Sequence, residues 1–254
     1  MKLKAMSFNL RYDNAGDGIN AFSSRYPRAI RTIEDERPDI IGFQEVTDSM
    51  RALLRKELRD YTIVGCGRDK DYHGESTLIA YRTSDFEMIR CENLWLSADP
   101  HQPGSHFGED HSNCPRMFTS VLLKHNEIEA PFTFICTHLD HVGSRARMVE
   151  AKALCEYISA HTEKCVLVGD FNATPDEPEI GFICDFFASR GGKDCTSGIA
   201  PTFHDFGRLP PEKQVKIDYI FSDGECDEAY LVEDTPVNGQ YYSDHNAVCA
   251  YIVL

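Results

Sequence analysis

The chain reads as an α/β protein (α+β in some schemes): a four-layered sandwich of two mixed β-sheets packed face to face, with helices outside. Three observations predict this. Apolar strand-like segments alternate with amphipathic helical segments early in the chain, whereas the middle and the end are strand-rich. Neither a linker nor an internal repeat interrupts the 254 residues, so a single domain spans 1–254. A chain of this size, 42% hydrophobic and 26% charged, has a globular composition. It can bury roughly 70–75% of its unfolded surface, enough for a large core.

Residues 3–9 alternate as a strand and end in Phe8-Asn9. Tyr26, Ala29, Ile30 and Ile33 follow helical spacing, with Pro27 in the first turn and Pro38 as the stop. Residues 39–45 form a buried strand. Thr47 then caps a helix with Met50, Leu53, Leu54 and Leu58 on one face. Short strands are expected near 61–66, 76–82, 86–95, 117–124 and 131–138. Met148, Ala151, Leu154, Cys155 and Ile158 stripe a helix over about 144–160. A buried strand up to Gly169, a helix near 176–189, and strands near 216–221, 227–233 and 246–253 finish the chain. The acidic run Asp223, Glu225, Asp227, Glu228 reads as a solvated hairpin. Two long loops, 97–116 and 191–215, stand out as functional candidates.

The charge narrows the partners. With 26 basic and 41 acidic side chains the net charge is −15, which disfavours a long duplex nucleic acid held by the whole surface. No apolar stretch approaches the eighteen or so residues of a membrane span, so no membrane partner is expected. The ten cysteines contain no Cys-x-x-Cys pair, and several lie inside apolar strands as small hydrophobes. Scattered thiols behind an N-terminus without a signal-peptide pattern fit a reducing cytoplasm.

The chemistry is concentrated in six polar words attached to these strands: Ser7-Phe8-Asn9-Leu10-Arg11, Gln44-Glu45, Thr137-His138-Leu139-Asp140-His141, Gly169-Asp170-Phe171-Asn172, Ile217-Asp218-Tyr219, and Ser243-Asp244-His245. Any one alone is weak, because an Asp after a strand is usually a turn former or a helix cap. Asp170 and Asn172 are two apart, and on an extended backbone they share a face and address one phosphate or one water. Six such words in one chain argue for a convergent site.

As an ordered set from residue 9 to 245, these words resemble the endonuclease/exonuclease/phosphatase superfamily, also called DNase I-like. Phe8–Asn14, Leu96-Ser97, Pro103–Ser105, Pro115-Arg116, Thr137–Val142 and Thr202–His204 resemble an uncharacterised, mainly bacterial branch, nearer to the nocturnin and deadenylase branches than to the repair endonucleases. Gly74-Glu75-Ser76-Thr77 departs from that branch's usual word but keeps the Glu. The resemblance implies a divalent-metal-dependent phosphoesterase. Magnesium keeps several waters and takes one or two carboxylates, so Glu45 serves as its main anchor, with Asn9 and Asp244 completing the shell and manganese as an alternative ion. Asp170 then orients or deprotonates the attacking water, and Asn172 holds that water or a phosphate oxygen. His245, held by Asp218, donates to the phosphate. His138 assists there, with Glu75 as its partner.

Around that centre, Arg116 and Arg11 are candidate phosphate clamps, because guanidinium forks suit phosphate oxygens. Arg147 lies on a helix, where a solvated or salt-bridged role is commoner. Asp140, Phe203 and His204 are candidate substrate contacts. His101, His106 and His111 recur every five residues and read as surface histidines on the rim, with a second metal site as the competing reading. The expected substrate is a small or short-chain phosphoester: a nucleotide, short oligonucleotide or sugar phosphate. The alternatives are a nuclease with a local basic groove and a non-catalytic phosphate-binding module. The superfamily's fold does not choose among them.

Overall fold

Strand alternation places the site before any helix is considered. The computed structural model describes residues 2–108, 110–127, 129–161 and 163–254. Its elements in order are β1 (Leu3–Asn9), α1 (Phe22–Glu36), β2 (Ile40–Val46), α2 (Asp48–Glu57), β3 (Tyr61–Val64), β4 (Ser76–Arg82), β5 (Phe86–Trp95), β6 (Met117–His125) and β7 (Phe132–His138). They continue with α3 (Ser144–Ser159), β8 (Lys164–Asp170), α4 (Pro178–Ser189), β9 (Lys193–Asp194), β10 (Asp218–Ser222), β11 (Glu225–Val232) and β12 (Ala247–Val253).

Two six-stranded sheets result, ordered β11-β12-β1-β2-β4-β3 and β5-β6-β7-β8-β10-β9. Each has one parallel pair at its centre, β1 with β2 and β7 with β8, and is otherwise antiparallel. Leu3 and Ala5 face the second sheet, where they meet a core that includes Phe134, Cys136, Val166, Val168 and Ile220. Met6 and Phe8, of opposite parity, pack under α1 and α2. Leu167, Tyr219 and Phe221 do the same under α3 and α4. These three cores give the four layers that the sequence predicts. Gly42 lets the two sheets approach closely: a Cβ there would sit 2.3 Å from a Val168 methyl.

The same parity carries the polar words. Asn9 continues the inward series of Leu3 and Ala5, His138 that of Phe134 and Cys136, and Asp170 that of Val166 and Val168. β10 runs antiparallel to β8 with Asp218 opposite Asp170, so its start meets the end of β8. β12 runs antiparallel to β1 with Val248 opposite Ser7, which brings residues 243–245 to the end of β1. Ser243 Oγ fixes that junction by donating to the Asn9 carbonyl at 2.7 Å.

Several local expectations change. α1 begins at Phe22, so Pro27 lies inside the helix and not in its first turn. Thr47 occupies the N-cap position of α2, but its hydroxyl lies 3.3 Å from Ser49 Oγ and makes no cap bond. β10 and β11 belong to different sheets, so the acidic run is a crossing and not a hairpin. Asp223 within it is taken up by Arg190 and the Cys165 N–H, while Glu225, Asp227 and Glu228 are exposed. The long loop 191–215 contains β9 and a short 3₁₀ turn over Pro211–Lys213. All ten cysteines are free thiols. No described helix is long and apolar enough to cross a membrane.

Candidate active site

A cavity of about 570 Å³ opens at the shared end of the central strands. Glu45, Asp170, Asn172, Asp244, His138, His245, Arg11, Arg116 and Phe203 all line it. Glu45 reaches it by breaking the alternation. Ile41 and Phe43 face the helices, so strict parity would turn residue 45 away from the site. A register shift between Phe43 and Val46, with φ of 61° at Glu45, redirects the carboxylate inward. A non-glycine residue in that conformation is strained, and such strain clusters at functional positions.

Asn9 bridges the acids: its Nδ2 donates to Glu45 Oε1 at 3.1 Å and to Asp170 Oδ2 at 2.9 Å. Its Oδ1 accepts the Arg11 N–H at 2.8 Å, so liganding of a cation by Asn9 takes the opposite amide orientation. Glu45 Oε2 accepts the Tyr12 N–H at 3.1 Å. Burial opposes the charge on Glu45, but the His245 cation and the Asn9 amide outweigh it and hold its carboxyl below the usual range. Asp170 is pushed up to about 7 by burial and by Asp218. Asp244 rises to about 6, because burial and Glu45 outweigh the pull of His245.

Asp170 is fixed from two sides. Its Oδ1 accepts the Asn172 N–H at 2.9 Å, and Asn172 Nδ2 donates to the Leu139 carbonyl at 3.0 Å. Asn172 has φ of 48°, so a local turn, not a shared strand face, brings it to the cavity. His245 Nδ1 donates to Asp218 Oδ2 at 2.9 Å, and its Nε2 stands 3.8 Å from Asp170 Oδ2. Burial alone would discharge His245, but Asp218, Asp170 and Asp244 override it and hold the ring up to about 10. His138 Nε2 lies 3.7 Å from the same Asp170 oxygen. Its ring is kept neutral, well below the ordinary histidine value, by burial and by Arg116 and Arg68.

The other candidates divide. Arg116 is 3% exposed and lines the cavity. Its Nη2 donates to His141 Nδ1 at 2.8 Å, while Nε and Nη1 have no partner among the described residues. Arg11 also lines the cavity, but carboxylates claim it: Asp17 at 3.3 Å, Asp244 at 3.7 Å and Glu45 at 3.9 Å. Phe203 packs on the His245 ring with centroids 4.9 Å apart. Glu75 lines the wall, but its carboxylate pairs with Arg68 at 2.7 Å and not with His138. Asp140 is fully buried and accepts from Ser112, Val142 and Gly143, so it shapes a turn and does not line the cavity. His204 faces a different hollow, with its Nδ1 accepting the Gly207 N–H at 3.1 Å. Arg147 is salt-bridged within the fold, to Glu177 and Glu179.

Two groups of consequence lack a motif signal. Arg68, in the Gly65-Cys-Gly-Arg loop, supplies a second guanidinium to the cavity. Arg25 is completely buried in α1 and donates to the carbonyls of Leu10, Arg11, Asn20 and Tyr242 at 2.5–2.8 Å. It thereby ties the segment after Asn9 to the segment before Asp244. His141 lies within a word already singled out, three residues beyond His138, and also faces the cavity.

The donor set suits a hard divalent cation. Glu45, Asp170 and Asp244 crowd oxygen donors; burial, together with Asp218 for Asp170 and Glu45 for Asp244, keeps those two reluctant to ionise. Glu45, His138 and Asp170 each offer a ligand atom within 4.8 Å of the others. Glu45 and Asp244, with Asp170 or Asn9 beside them, are the residues that could hold it.

Comparison with known proteins places the chain in a family. Residues 6–245 match the Endonuclease/Exonuclease/phosphatase family. The fold superposes on an endonuclease/exonuclease/phosphatase from Bacteroides vulgatus with a TM-score of 0.88 and 30% identity, covering 100% of this chain and 99% of that one. It superposes equally well, at 0.88 and 24% identity, on the Bacteroides thetaiotaomicron mannosyl-6-phosphatase Bt3783, covering 99% and 100%. TDP2 from D. rerio, complexed with a single strand DNA product, gives 0.79 at 16% identity, covering 100% and 99%. A search of curated proteins gave no match.

Proposed function

The chain belongs to the endonuclease/exonuclease/phosphatase family, whose members are metal-dependent hydrolases of phosphoester bonds, and from that premise we propose that its substrate is a small or short-chain phosphoester. The observation that carries this reading is the cavity itself. Its 570 Å³ suits a small ligand and not a groove for a duplex. Carboxylates and arginines share its lining, and Arg116 Nε and Nη1 make no hydrogen bond among the described residues.

In this reading, Glu45 and Asp244, with Asn9 beside them, would hold a magnesium or manganese ion, which would supply Lewis-acid charge to the phosphate. Arg116 receives a non-bridging phosphate oxygen through its unpaired N–H groups. Asp170, restrained by Asn9 and the Asn172 N–H, orients the water and accepts its proton. Asn172 holds that water or a phosphate oxygen. His245, kept cationic by Asp218, donates to the phosphoryl group as negative charge grows there. His138, kept neutral, offers a hydrogen bond to the phosphate or leaving group. Phe203 gives the non-phosphate portion an aromatic face.

Sugar-phosphate size agrees with the mannosyl-6-phosphatase neighbour, and fold likeness alone does not choose among substrates. The nuclease reading calls for a basic rim. Three arginines line the cavity, but five carboxylates line it too and no lysine does among the described residues. A panel of sugar phosphates, nucleotides, short oligonucleotides and duplex DNA, assayed with and without magnesium, tests the proposal. Turnover of small phosphoesters that vanishes in Asp170→Asn supports it. Much faster cleavage of long duplex DNA would discard it.

A further inference from the structure

We propose that His111, Asp140 and Glu150 form a second divalent-cation site, of the borderline zinc class, that fastens the loop 97–116 to α3. The three residues come from three places: the long loop, the turn after β7 and the second turn of α3. Their side chains are 1%, 0% and 0% exposed. His111 Nε2 lies 3.7 Å from Asp140 Oδ2 and 3.6 Å from Glu150 Oε1, and all three ligand atoms fall within 4.8 Å of one another.

The hydrogen bonding around them leaves two of the three convergent atoms, His111 Nε2 and Glu150 Oε1, without a partner among the described residues. His111 Nδ1 bonds the Ser112 carbonyl, which makes it the protonated nitrogen and leaves a lone pair on Nε2. Glu150 Oε2 accepts the Asp140 N–H at 2.8 Å, and Asp140 Oδ1 accepts the Val142 and Gly143 N–H groups at 2.8 Å each. Asp140 Oδ2 takes the Ser112 N–H at 3.0 Å and the Ser112 hydroxyl. Each carboxylate is thus oriented by backbone donors, as metal-bound carboxylates usually are. His111 Nε2 and Glu150 Oε1 have no hydrogen-bond partner among the described residues, though both are buried. A lone pair aimed at two carboxylate oxygens is repulsive unless a cation or a proton lies between them.

The donor types and spacing favour a cation. One imidazole and two carboxylates make a mixed N/O set, which suits zinc or manganese better than magnesium. Bonds of about 2.0–2.2 Å in a tetrahedron put ligand atoms about 3.4 Å apart. The observed 3.6 and 3.7 Å close to that with small side-chain shifts. Arg116 Nε, 3.9 Å from Asp140 Oδ2, is too distant to satisfy the group by hydrogen bonding. The competing occupant is a proton on Glu150, which burial pushes up to about 8. The site has a consequence for the cavity: Cys114 and Arg116, on its wall, follow His111 within five residues.

Zinc retention tests this. Apo protein carrying Glu45→Gln is mixed with zinc chloride, freed of loosely bound metal by gel filtration, and assayed for zinc per chain. The same is done after adding Glu150→Gln, or His111→Gln as an independent second variant, with circular dichroism and Tm confirming the fold. Each addition is expected to remove one equivalent of zinc. Cobalt in place of zinc should lose the visible bands of a low-coordinate ion in step. Equal zinc content in all three proteins, or none in the Glu45→Gln parent, would overturn the site in favour of the proton.

Discussion

His245 and His138 both approach Asp170 Oδ2, at 3.8 and 3.7 Å, yet their neighbours push them in opposite directions. Behind His245 stand Asp218 and Asp244, and the ring is cationic up to about pH 10. Behind His138 stand Arg116 and Arg68, and the ring is neutral. Both are buried, so burial does not decide between them; neighbouring charge does. One cavity thus holds a proton donor and a neutral hydrogen-bonding group of the same residue type. Neighbouring charges assign the roles, much as paired carboxylates are told apart by environment elsewhere.

The strongest way to break this arrangement is to remove the group both rings approach. Asp170→Asn should lower kcat about 10²–10⁴-fold with its fold intact, as single-turnover assays and circular dichroism would show. Next comes the contrast itself. His245→Gln should cost about 10²–10³ in kcat, the scale of losing a transition-state donor, while His138→Gln should cost about tenfold. Equal losses would mean that the neighbouring charges do not separate the rings. Arg116→Lys keeps the charge but loses the fork, and should raise KM about tenfold with kcat little changed.

The smallest effect is in pH. Asp218 is the first of the charges that raise His245, so Asp218→Asn should move the alkaline limb of the rate profile to lower pH. Stability follows the same sign. A folded-state value above the unfolded 6.5 gives stabilisation that is complete below pH 6.5 and is lost as pH rises through about 10. Denaturation curves of Asp218→Asn and wild type should therefore differ most near neutral pH and converge above about pH 10.

Much of this was legible in the sequence because alternation carries information. His138 and Asp170 sit two residues beyond the inward Cys136 and Val168, Asp218 sits two before the inward Ile220, and Asn9 sits four beyond the inward Ala5, so the pattern that builds the inter-sheet core also aims them. Glu45 was legible only as a motif, since its orientation depends on a bulge that parity does not encode. Arg116 was found by its place at a loop–strand junction. Arg68 was missed because loop arginines are common and only the fold shows which one meets a cavity. Asp140 was misjudged because an acid that orders a turn and an acid that binds substrate leave the same letter in the chain. His111 read as a rim histidine, yet its side chain is 1% exposed, since burial of a loop residue depends on contacts distant in sequence.

β12 is inserted between β11 and β1, and the Tyr242 carbonyl just before it receives the Arg25 guanidinium across 217 positions of sequence. A ribosome therefore exposes β1, β2 and α1 long before the strand that completes their sheet. Until then one edge of β1 lacks its partner and Asp244 and His245 are absent from the cavity. The cavity is thus incomplete in the nascent chain until residues 243–245 have emerged, and until then the β1 edge keeps unpaired N–H and C=O groups.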